Sequence, residues 1–380
     1  MSKLDELIAE LCPDGVEYIP LGEVLKNNNA PNSISKKYYK DNGDIPIIDQ
    51  SQVYIAGYTD DESAVPPILP CIIFGDHTRV VKYADRKFAQ GDSGTKVFIP
   101  VTEDLNTKYI YYAFCNIDIP SRGYNRHWTI AKNIKIPLPP LPVQQEIVRI
   151  LDNFTELTAE LTAELTARRK QYEYYRDLLL TDLNEDTVKW ISLKECTLPT
   201  SNIKWSLEDE STTYKYIDLT SVDRELHYIT ETQEINKNNA PSRAQQIVKA
   251  GDILFATTRP LLRRYCLIDS EYDGQICSTG FCVLRANTDI VLQKWVLYHI
   301  ASSSFYYHVE KYQQGASYPA ISDTNVKDYR IPVPPIEEQE RIVAILDRFD
   351  ALCNDLTSGI PAEIEARQKQ YEYYRDKLLS

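Results

Sequence analysis

The phrase QYEYYRD occurs twice in this chain, at residues 171–177 and again at residues 370–376. It belongs to a much longer repeat, because other segments recur in the same order around both copies. The matching pairs are DGVEYIPLGEV (14–24) with DTVKWISLKEC (186–196), IPLPPLPVQQEIVRILDNFTEL (136–157) with IPVPPIEEQERIVAILDRFDAL (331–352), and RRKQYEYYRDLLL (168–180) with RQKQYEYYRDKLL (367–379). The chain is therefore a tandem duplication, and two copies of one large unit predict a pseudo-twofold molecule made from a single chain.

Each copy begins with a globular part of mixed secondary structure. Short runs of β-branched and aromatic residues, bounded by Gly, Asp, Asn and Pro, predict strands near 70–75, 95–100, 252–257 and 280–286. Helices are expected at 105–116 and 289–304. The fold class is therefore α+β. The predicted domains are 1–135 (first globular domain), 136–185 (first long helix), 186–330 (second globular domain) and 331–380 (second long helix).

Each copy ends in a helical part that follows a proline-rich lead-in. The lead-in predicts a polyproline-like segment, which cannot continue a helix. Beyond it, apolar residues recur at steps of three and four and predict a coiled-coil-like seam. A helix over 144–180 would be roughly 55 Å long, too long to pack on a small domain, so we expect it to pair with the helix of the other copy. Pro361 predicts a break near residue 359 in the second helix alone.

Two further features of the helices suggest functions. The TELTAELTAELTA segment (155–167) repeats every four residues, and each added tetrad lengthens a helix by about 6 Å. In the tyrosine phrase, Tyr172 and Tyr175 are expected in the seam. The residues expected off the seam, and assigned to a partner-binding surface, are Tyr174, Arg176, Tyr373 and Arg375.

Positive charge is local in this acidic chain, whose net charge of −13 argues against general affinity for nucleic acid. Segments 121–135 and 257–265 contain basic residues and no acidic ones. Arginine suits guanine edges, and Asn or Gln suits adenine; solvated surface loops are the alternative for any one segment. The candidate DNA-binding residues are Arg79, Lys82, Arg122, Asn125, Arg126, His127, Lys132, Arg259, Arg263, Arg264, Gln314, Ser317 and Tyr318.

Signatures of catalysis and of membrane insertion are missing from the sequence. It contains no phosphate-binding G-x-x-x-x-G-K-[ST], no H-E-x-x-H and no G-x-S-x-G. The five histidines are dispersed and the eight cysteines form no C-x-x-C pair, so we expect no metal site and reduced thiols. Without a signal peptide or a long apolar run, the chain is expected in the cytoplasm, away from membranes.

The duplicated IPxPPxxxQxxIVxILD lead-in, the TAEL tetrads and the RxKQYEYYRDxLL phrase resemble the DNA-specificity subunits of type I restriction–modification systems. The resemblance implies that the two globular domains are target-recognition domains, held apart on two long antiparallel helices that form a coiled coil. It implies that each domain reads one half of a bipartite, asymmetric site in double-stranded DNA.

The resemblance also implies the partners. Subunits of this kind have no catalytic centre and recruit two modification subunits, which use S-adenosylmethionine to methylate adenine. Two motor–nuclease restriction subunits can join that assembly. We therefore expect no cofactor on this chain and S-adenosylmethionine on the modification subunit.

Two other functions are compatible with the residues alone. The first is a coiled-coil scaffold whose globular ends bind proteins, which acidic surfaces at 121–135 and 257–265 would favour. The second is a stand-alone regulator of a divided operator, which would bind DNA tightly without partners.

Overall fold

The chain forms two compact units in a computed structural model, which describes residues 3–184, 188–355 and 357–379. The first unit is Met1–Leu161 with Ile364–Ser380, and the second is Thr162–Glu363. Each unit therefore contains one globular domain, one stretch of the first long helix and one stretch of the second helical region. The end of the chain belongs to the unit of the first globular domain.

The first unit is built from short strands and a few helices. Its strands are β1 (Tyr18–Pro20), β2 (Leu25–Asn27), β3 (Ile45–Ile48), β4 (Gly57–Thr59), β5 (Cys71–Gly75), β6 (Val81–Ala84), β7 (Ala89–Gln90), β8 (Thr95–Pro100) and β9 (Lys135–Pro137). Its helices are α1 (Lys3–Leu11), α2 (Leu21–Val24), α3 (Thr107–Asn116), α4 (Trp128–Ala131) and the beginning of α5 (Leu141–Thr181), with 3-10 turns at Lys36–Tyr38 and Glu62–Ala64.

The second unit contains the same kinds of element. Its strands are β10 (Lys189–Ser192), β11 (Thr197–Leu198), β12 (Ser201–Asn202), β13 (Tyr214–Ile217), β14 (Gln233–Ile235), β15 (Ala244–Ile247), β16 (Ile253–Ala256), β17 (Tyr265–Leu267), β18 (Ile276–Ser278), β19 (Phe281–Ala286) and β20 (Arg330–Val333). Its helices are α6 (Leu193–Cys196), α7 (Gln293–Ala301), α8 (Ser303–Tyr312), α9 (Asp323–Lys327) and α10 (Ile336–Asn354), with 3-10 turns at Trp205–Leu207, Pro260–Leu262 and Ser270–Tyr272. Helix α11 (Ile360–Leu378) follows and lies mostly in the first unit.

Sheet topology confirms the duplication. The first unit has a four-stranded sheet in the order β2-β8-β5-β6, and the second has one in the order β11-β19-β16-β17. Every pair in both sheets is antiparallel. A second sheet, β4-β3-β7 or β12-β15-β18-β13-β14, accompanies each of them. The predicted strands and the helices near 105–116 and 289–304 are present, and the α+β class is confirmed.

The first turns of α5 pack on the first globular domain. Val143, Ile147 and Leu151 are four residues apart and lie in one core cluster with Phe74 of β5 and Tyr109 of α3. A stripe at that spacing forms a single helix face, and each buried aliphatic side chain contributes roughly 1.5–3 kcal/mol. The expectation that the long helix cannot pack on its own domain is therefore wrong for these turns.

The lead-in to each long helix differs in part from the polyproline-like segment that the sequence predicted. Ile136 and Pro137 belong to β9, which pairs antiparallel with β1. In the second copy, β20 pairs with β10 in the same way. The two-stranded pair accepts proline because a strand in an edge position can do without one backbone donor. The domain limits near 135 and 330 stay a prediction.

A buried glutamine joins each lead-in to its helix and its domain. Gln144 of α5 accepts a hydrogen bond from the backbone N–H of Asn106 (2.9 Å) and donates one to the carbonyl of Pro139 (2.8 Å). Gln339 of α10 accepts from the N–H of Leu292 (3.0 Å) and donates to the carbonyl of Pro334 (2.9 Å). Both glutamines are buried.

An aspartate two turns further along makes a second repeated connection. Asp152 of α5 accepts hydrogen bonds from the Lys108 ammonium (2.8 Å) and from the Tyr112 hydroxyl (2.6 Å), both on α3. In the second unit, Asp347 of α10 binds Lys294 and Tyr298 of α7 with the same groups. The glutamine and the aspartate of the repeated lead-in motif are therefore docking residues.

An aromatic contact between the helical stretches occurs once in each unit. In the first unit, the rings of Phe154 and Tyr374 are stacked with centroids 5.4 Å apart. In the second unit, Tyr175 and Phe349 are stacked at 6.2 Å. As residue numbers rise along α5, the numbers of these partners fall, as antiparallel helices require. The second helical region is interrupted between Asn354 and Ile360, which confirms the predicted break, whereas α5 runs unbroken over 41 residues.

Replacing Gln339 with Met tests the docking role of the glutamine. The variant leaves the N–H of Leu292 and the carbonyl of Pro334 without this partner, so we expect the free energy of unfolding to fall by about 2–4 kcal/mol. Urea denaturation followed by tryptophan fluorescence measures it, since Trp190, Trp205 and Trp295 lie in the second unit.

The control is Glu340→Met, at an exposed position on the same helix, for which we expect a change within about 0.5 kcal/mol. Equal losses in the two variants would contradict the assignment.

Candidate nucleic-acid interface

Two loops meet at the same place in each globular domain. In the first unit, the β5–β6 connection (76–80) meets the loop between α3 and α4 (117–127). In the second, the β16–β17 connection (257–264) meets the loop between α8 and α9 (313–322). Most of the predicted DNA-binding residues lie on these four segments.

His127 holds the first pair of loops together. Its backbone N–H donates to the Asp76 carbonyl at 2.8 Å, and its Nδ1 lies 2.9 Å from the same oxygen. Its Nε2 accepts a hydrogen bond from the N–H of Arg122 at 3.2 Å. A neutral imidazole with its proton on Nδ1 satisfies both contacts. His127 is only 1% exposed, so its prediction as a DNA contact is wrong: it supports the loop from inside.

The exposed side chains of this loop have the chemistry of a nucleic-acid contact. Arg122, Asn125 and Arg126 are all exposed. Tyr124 is exposed too, and its ring stacks on His77 of the neighbouring connection with centroids 4.4 Å apart and planes 7° apart. Cations, an amide and an aromatic ring therefore share one surface.

Arg79 lies on the opposite side of the same junction. It is exposed, has a left-handed backbone conformation (φ 64°) and donates from Nη1 to the Ile119 carbonyl at 2.9 Å. The structure therefore brings Arg79 to the loop that carries Arg122 and Arg126. Lys132 is exposed just beyond α4, where its carbonyl accepts a hydrogen bond from Gly22, and its role stays a prediction.

Lys82 is a correction to the predicted interface. Its side chain is 6% exposed, and its ammonium donates to the carbonyls of Asp49 (2.8 Å) and Val53 (2.6 Å). Burial lowers the pKa of Lys82 from its ordinary value. The residue holds the loop after β3 from a buried position.

The second pair of loops is built on an equivalent backbone frame. The N–H of Ile321 donates to the Thr257 carbonyl (2.9 Å), and the N–H of Thr257 donates to the Gly280 carbonyl (2.8 Å). The first unit has the corresponding two bonds. The N–H of His127 donates to the Asp76 carbonyl, and the N–H of Asp76 donates to the Gly94 carbonyl (2.8 Å).

Different side chains are presented on that frame. Gln314 and Ala320 pair through both backbone hydrogen bonds and close a hairpin-like loop whose tip carries the exposed Ser317 and Tyr318. The guanidinium of Arg259 lies 4.5 Å from the centre of the Tyr318 ring. The structure therefore brings together Arg259, Gln314, Ser317 and Tyr318.

The two other arginines of this connection have different surroundings. Arg263 is exposed and lies over the ring of Tyr306 at 4.5 Å. Arg264 is half-buried and donates from Nη1 to the carbonyls of Leu219 (2.5 Å) and Val222 (2.7 Å). Both hydrogen bonds support the adjoining loop, and the role of Arg264 as a DNA contact stays a prediction.

The tyrosine phrase shows one correction among its predicted partner-binding residues. Tyr174 and Tyr373 are 64% and 61% exposed, off the seam as expected. Arg375 is partly exposed and pairs with the adjacent Asp376. Arg176, however, is only 4% exposed and pairs with Asp177 at 2.9 Å, so it cannot take part in an accessible docking surface.

Some residues of the interface were missed in the sequence. His77 and Tyr124 form the stacked pair described above; for Tyr124 the signal was the interleaving of aromatic and basic residues in 121–135, a segment that does not include His77. Within the described ranges, no three His, Cys, Asp or Glu side chains are placed to hold a metal ion. No helix in the described part of the chain is both long and apolar enough to cross a bilayer.

Comparison with known proteins identifies the family. The family model described as "Type I restriction modification DNA specificity domain" matches residues 13–168 and again 191–366. The EcoR124I/EcoR124II type I restriction enzyme specificity subunit of Escherichia coli is 35% identical over 100% of this chain and 97% of its own length. The chain belongs to the DNA-specificity subunits of type I restriction–modification systems.

Other relatives agree with this assignment of the specificity subunit. A protein of Haemophilus influenzae described as a type I restriction enzyme specificity subunit is 31% identical, over 96% of this chain and 95% of its own. The crystal structure of a type I S subunit from M. genitalium covers 96% of both chains with a TM-score of 0.54 and 14% identity, a likeness in fold. The specificity subunit is a DNA-binding, non-catalytic component of its system, with target-recognition domains.

Lys82→Met tests the division between supporting and contacting residues. The carbonyls of the buried Asp49 and of Val53 lose a charged donor, so we expect a loss of about 2 kcal/mol, or a melting temperature lower by roughly 4–8 °C. At a temperature where the variant is folded, its DNA affinity should stay within about twofold. Calorimetric melting and DNA titration measure the two effects.

Arg126→Ala is the matched counterpart, because Arg126 is exposed on the same domain. It should leave the melting temperature unchanged and weaken DNA binding. A Lys82→Met protein with unchanged melting and weakened DNA binding would refute the supporting role.

Proposed function

We propose that this specificity subunit recognises a bipartite, asymmetric DNA sequence, with one half-site read by each target-recognition domain. The main support is that equivalent backbone hydrogen bonds, made by Asp76 in the first domain and by Thr257 in the second, hold loops with different side chains. Equivalent frames suit equivalent approaches to DNA, and different side chains suit different bases.

The exposed side chains supply the chemistry for reading bases. Arg122, Arg126 and Asn125 are available in the first domain, and Arg259 and Gln314 in the second. Arginine recognises guanine through O6 and N7, and Asn or Gln recognises adenine through N6 and N7. The absence of acidic residues from 121–135 and 257–265 argues against the protein-binding scaffold.

The proposed partners are two modification subunits, which bind S-adenosylmethionine and methylate adenine, and two restriction subunits that join them in the cytoplasm. The repeated tyrosine phrase supports two equivalent docking sites, because Tyr174 and Tyr373 are both exposed. Beside Tyr174 lies a groove of about 520 Å³, lined in part by Leu178 and Ser303. The net charge of −13 favours DNA binding completed by partners over a stand-alone regulator.

The proposal also assigns a role to the tetrads of α5. Residues 155–167 lie within an unbroken helix, in which each residue adds about 1.5 Å. The number of tetrads therefore sets helix length in steps, and we propose that it sets the length of the unspecified gap between the half-sites.

Exchanging one contact in one domain should relax one half-site. For Arg126→Ala and for Arg259→Ala, we expect a loss of about 1–3 kcal/mol of discrimination at one base pair, which is roughly 5- to 150-fold. The measurement is adenine methylation by the complex with its modification subunits, on a duplex library with both half-sites randomised.

Each variant should change a different half-site and leave the other as in the parent. Methylation without sequence preference in the parent complex would overturn the proposed function. Relaxation of both half-sites by either single change would contradict the division between the domains.

Deleting TAEL at 158–161 tests whether the tetrads set the length of the gap between the half-sites. The deletion shortens α5 by about 6 Å, so the preferred gap should change while both half-site sequences stay the same. Methylation of duplexes with gaps of graded length measures the preference. Loss of methylation at every gap length, in a protein that still melts cooperatively, would count against this role.

A further inference from the structure

An arginine-lined cavity lies beside α5 in the second unit. Its volume is about 210 Å³, and its lining includes Arg169 and Arg176 of α5, Arg224 of the loop after β13 and Arg263 of the β16–β17 connection. We propose that this cavity is a binding site for a phosphate group, taken either from the DNA backbone or as a free phosphate ion. Recognition of half-sites by the domains plays no part in this inference.

The arginines extend from the surface to the interior. Arg224 and Arg263 are exposed, Arg169 is partly buried, and Arg176 is buried. Guanidinium groups present several N–H donors in a planar fork that matches phosphate oxygens, and their hydrogen bonds to anions are among the stronger ones in proteins. Four of them around one small volume form a site suited to an oxyanion.

Arg176 is ion-paired within the unit, whereas the other three arginines are not paired with a carboxylate among the described residues. Three carboxylates, those of Glu173, Glu225 and Asp350, share the lining. Among the described residues, however, no ion pair joins a carboxylate to Arg169, Arg224 or Arg263; the ion pair at this site is that of Arg176 with Asp177. Glu173 and Glu225 are exposed and therefore solvated at the mouth of the cavity.

Two buried polar atoms of the lining have no hydrogen-bond partner among the described residues. They are Nε of Arg169 and Nδ1 of His227. An unsatisfied buried polar atom costs roughly 1–3 kcal/mol. Arginine only donates hydrogen bonds, so the group that would satisfy Arg169 must be an acceptor. A phosphate oxygen meets that requirement and can also accept from an Nδ1–H of His227.

His227 contributes a partly buried ring to the lining of the cavity. Its ring stacks on Tyr265 with centroids 3.8 Å apart. Burial lowers the pKa of His227 to about 4; the nearby Asp223 opposes this shift, and Arg263, Arg176 and Arg169 add to it. The imidazole is therefore neutral at physiological pH and can donate one hydrogen bond from Nδ1.

The helix of the second copy lacks one of these arginines. The counterpart of Arg169, just before the second tyrosine phrase, is Gln368, and the counterpart of Arg176 is Arg375, which is partly exposed. The groove beside Tyr371 in the first unit is lined by tyrosines, lysines and acids and contains no arginine. Gln368 also shows that glutamine is accepted at this position of the helix.

Calorimetric titration of the full chain with inorganic phosphate, in a chloride buffer, tests the site without DNA. Arg169→Gln introduces the residue that the other copy already has, and it should weaken phosphate binding at least tenfold. The control is Arg168→Gln on the same helix, where Arg168 is exposed and pairs with Glu164, and it should stay within twofold. Melting temperatures verify that both variants are folded.

The source of the phosphate is tested by the salt dependence of DNA binding in the complex with modification subunits. Loss of one backbone contact lowers the slope of log K against log salt by about 0.9. A lower slope in Arg169→Gln, but not in Arg168→Gln, supports a DNA phosphate even if free phosphate binds too weakly to measure.

An unchanged slope together with lost phosphate binding supports a free ion. An Arg169→Gln variant that changes neither measurement overturns the proposal, and so does one that changes them no more than Arg168→Gln does.

Discussion

A buried side-chain amide at the start of each long helix fixes the helix to its domain. The lead-in ends in prolines, which offer carbonyls but no N–H groups, and the first turn of a helix has no internal partners for its own donors. Gln144 and Gln339 satisfy the carbonyl of the lead-in with one end and a backbone N–H of the globular domain with the other. Loss of the amide therefore leaves two unmet groups rather than one.

This fixed framework separates the part of the chain that stays constant from the part that differs. The lead-in, the docking aspartates Asp152 and Asp347, and the tyrosine phrase recur in both copies. The loops that meet at Asp76 and Thr257 do not recur, although their backbone contacts do. A loop held by main-chain hydrogen bonds can exchange its exposed side chains without disturbing the core, which suits a domain that must recognise different sequences.

The sequence predicted elements that depend on local pattern and missed features that depend on distant partners. Strands, the break near Gly359 and the burial of Tyr172 follow from periodicity and from proline. The burial of Lys82 depends on carbonyls 29 and 33 residues away, and that of Arg264 on carbonyls 42 and 45 residues away, for which the basic segments contain no signal. Arg176 is different, since it lies four residues after Tyr172 and therefore on the same helix face.

The break in the second helical region compensates for its extra length. Phe154 and Tyr175 are 21 residues apart (175 − 154), whereas their counterparts Phe349 and Tyr374 are 25 apart (374 − 349). In continuous helices these spacings would correspond to about 31 and 37 Å, yet both pairs of aromatic residues make the same kind of contact. The four additional residues of the second copy fall in the region where the helix is interrupted, between Asn354 and Ile360. Residues outside a helix do not add to helical length. The extra residues of the second copy therefore belong to a region whose helix is interrupted, whereas α5 is continuous.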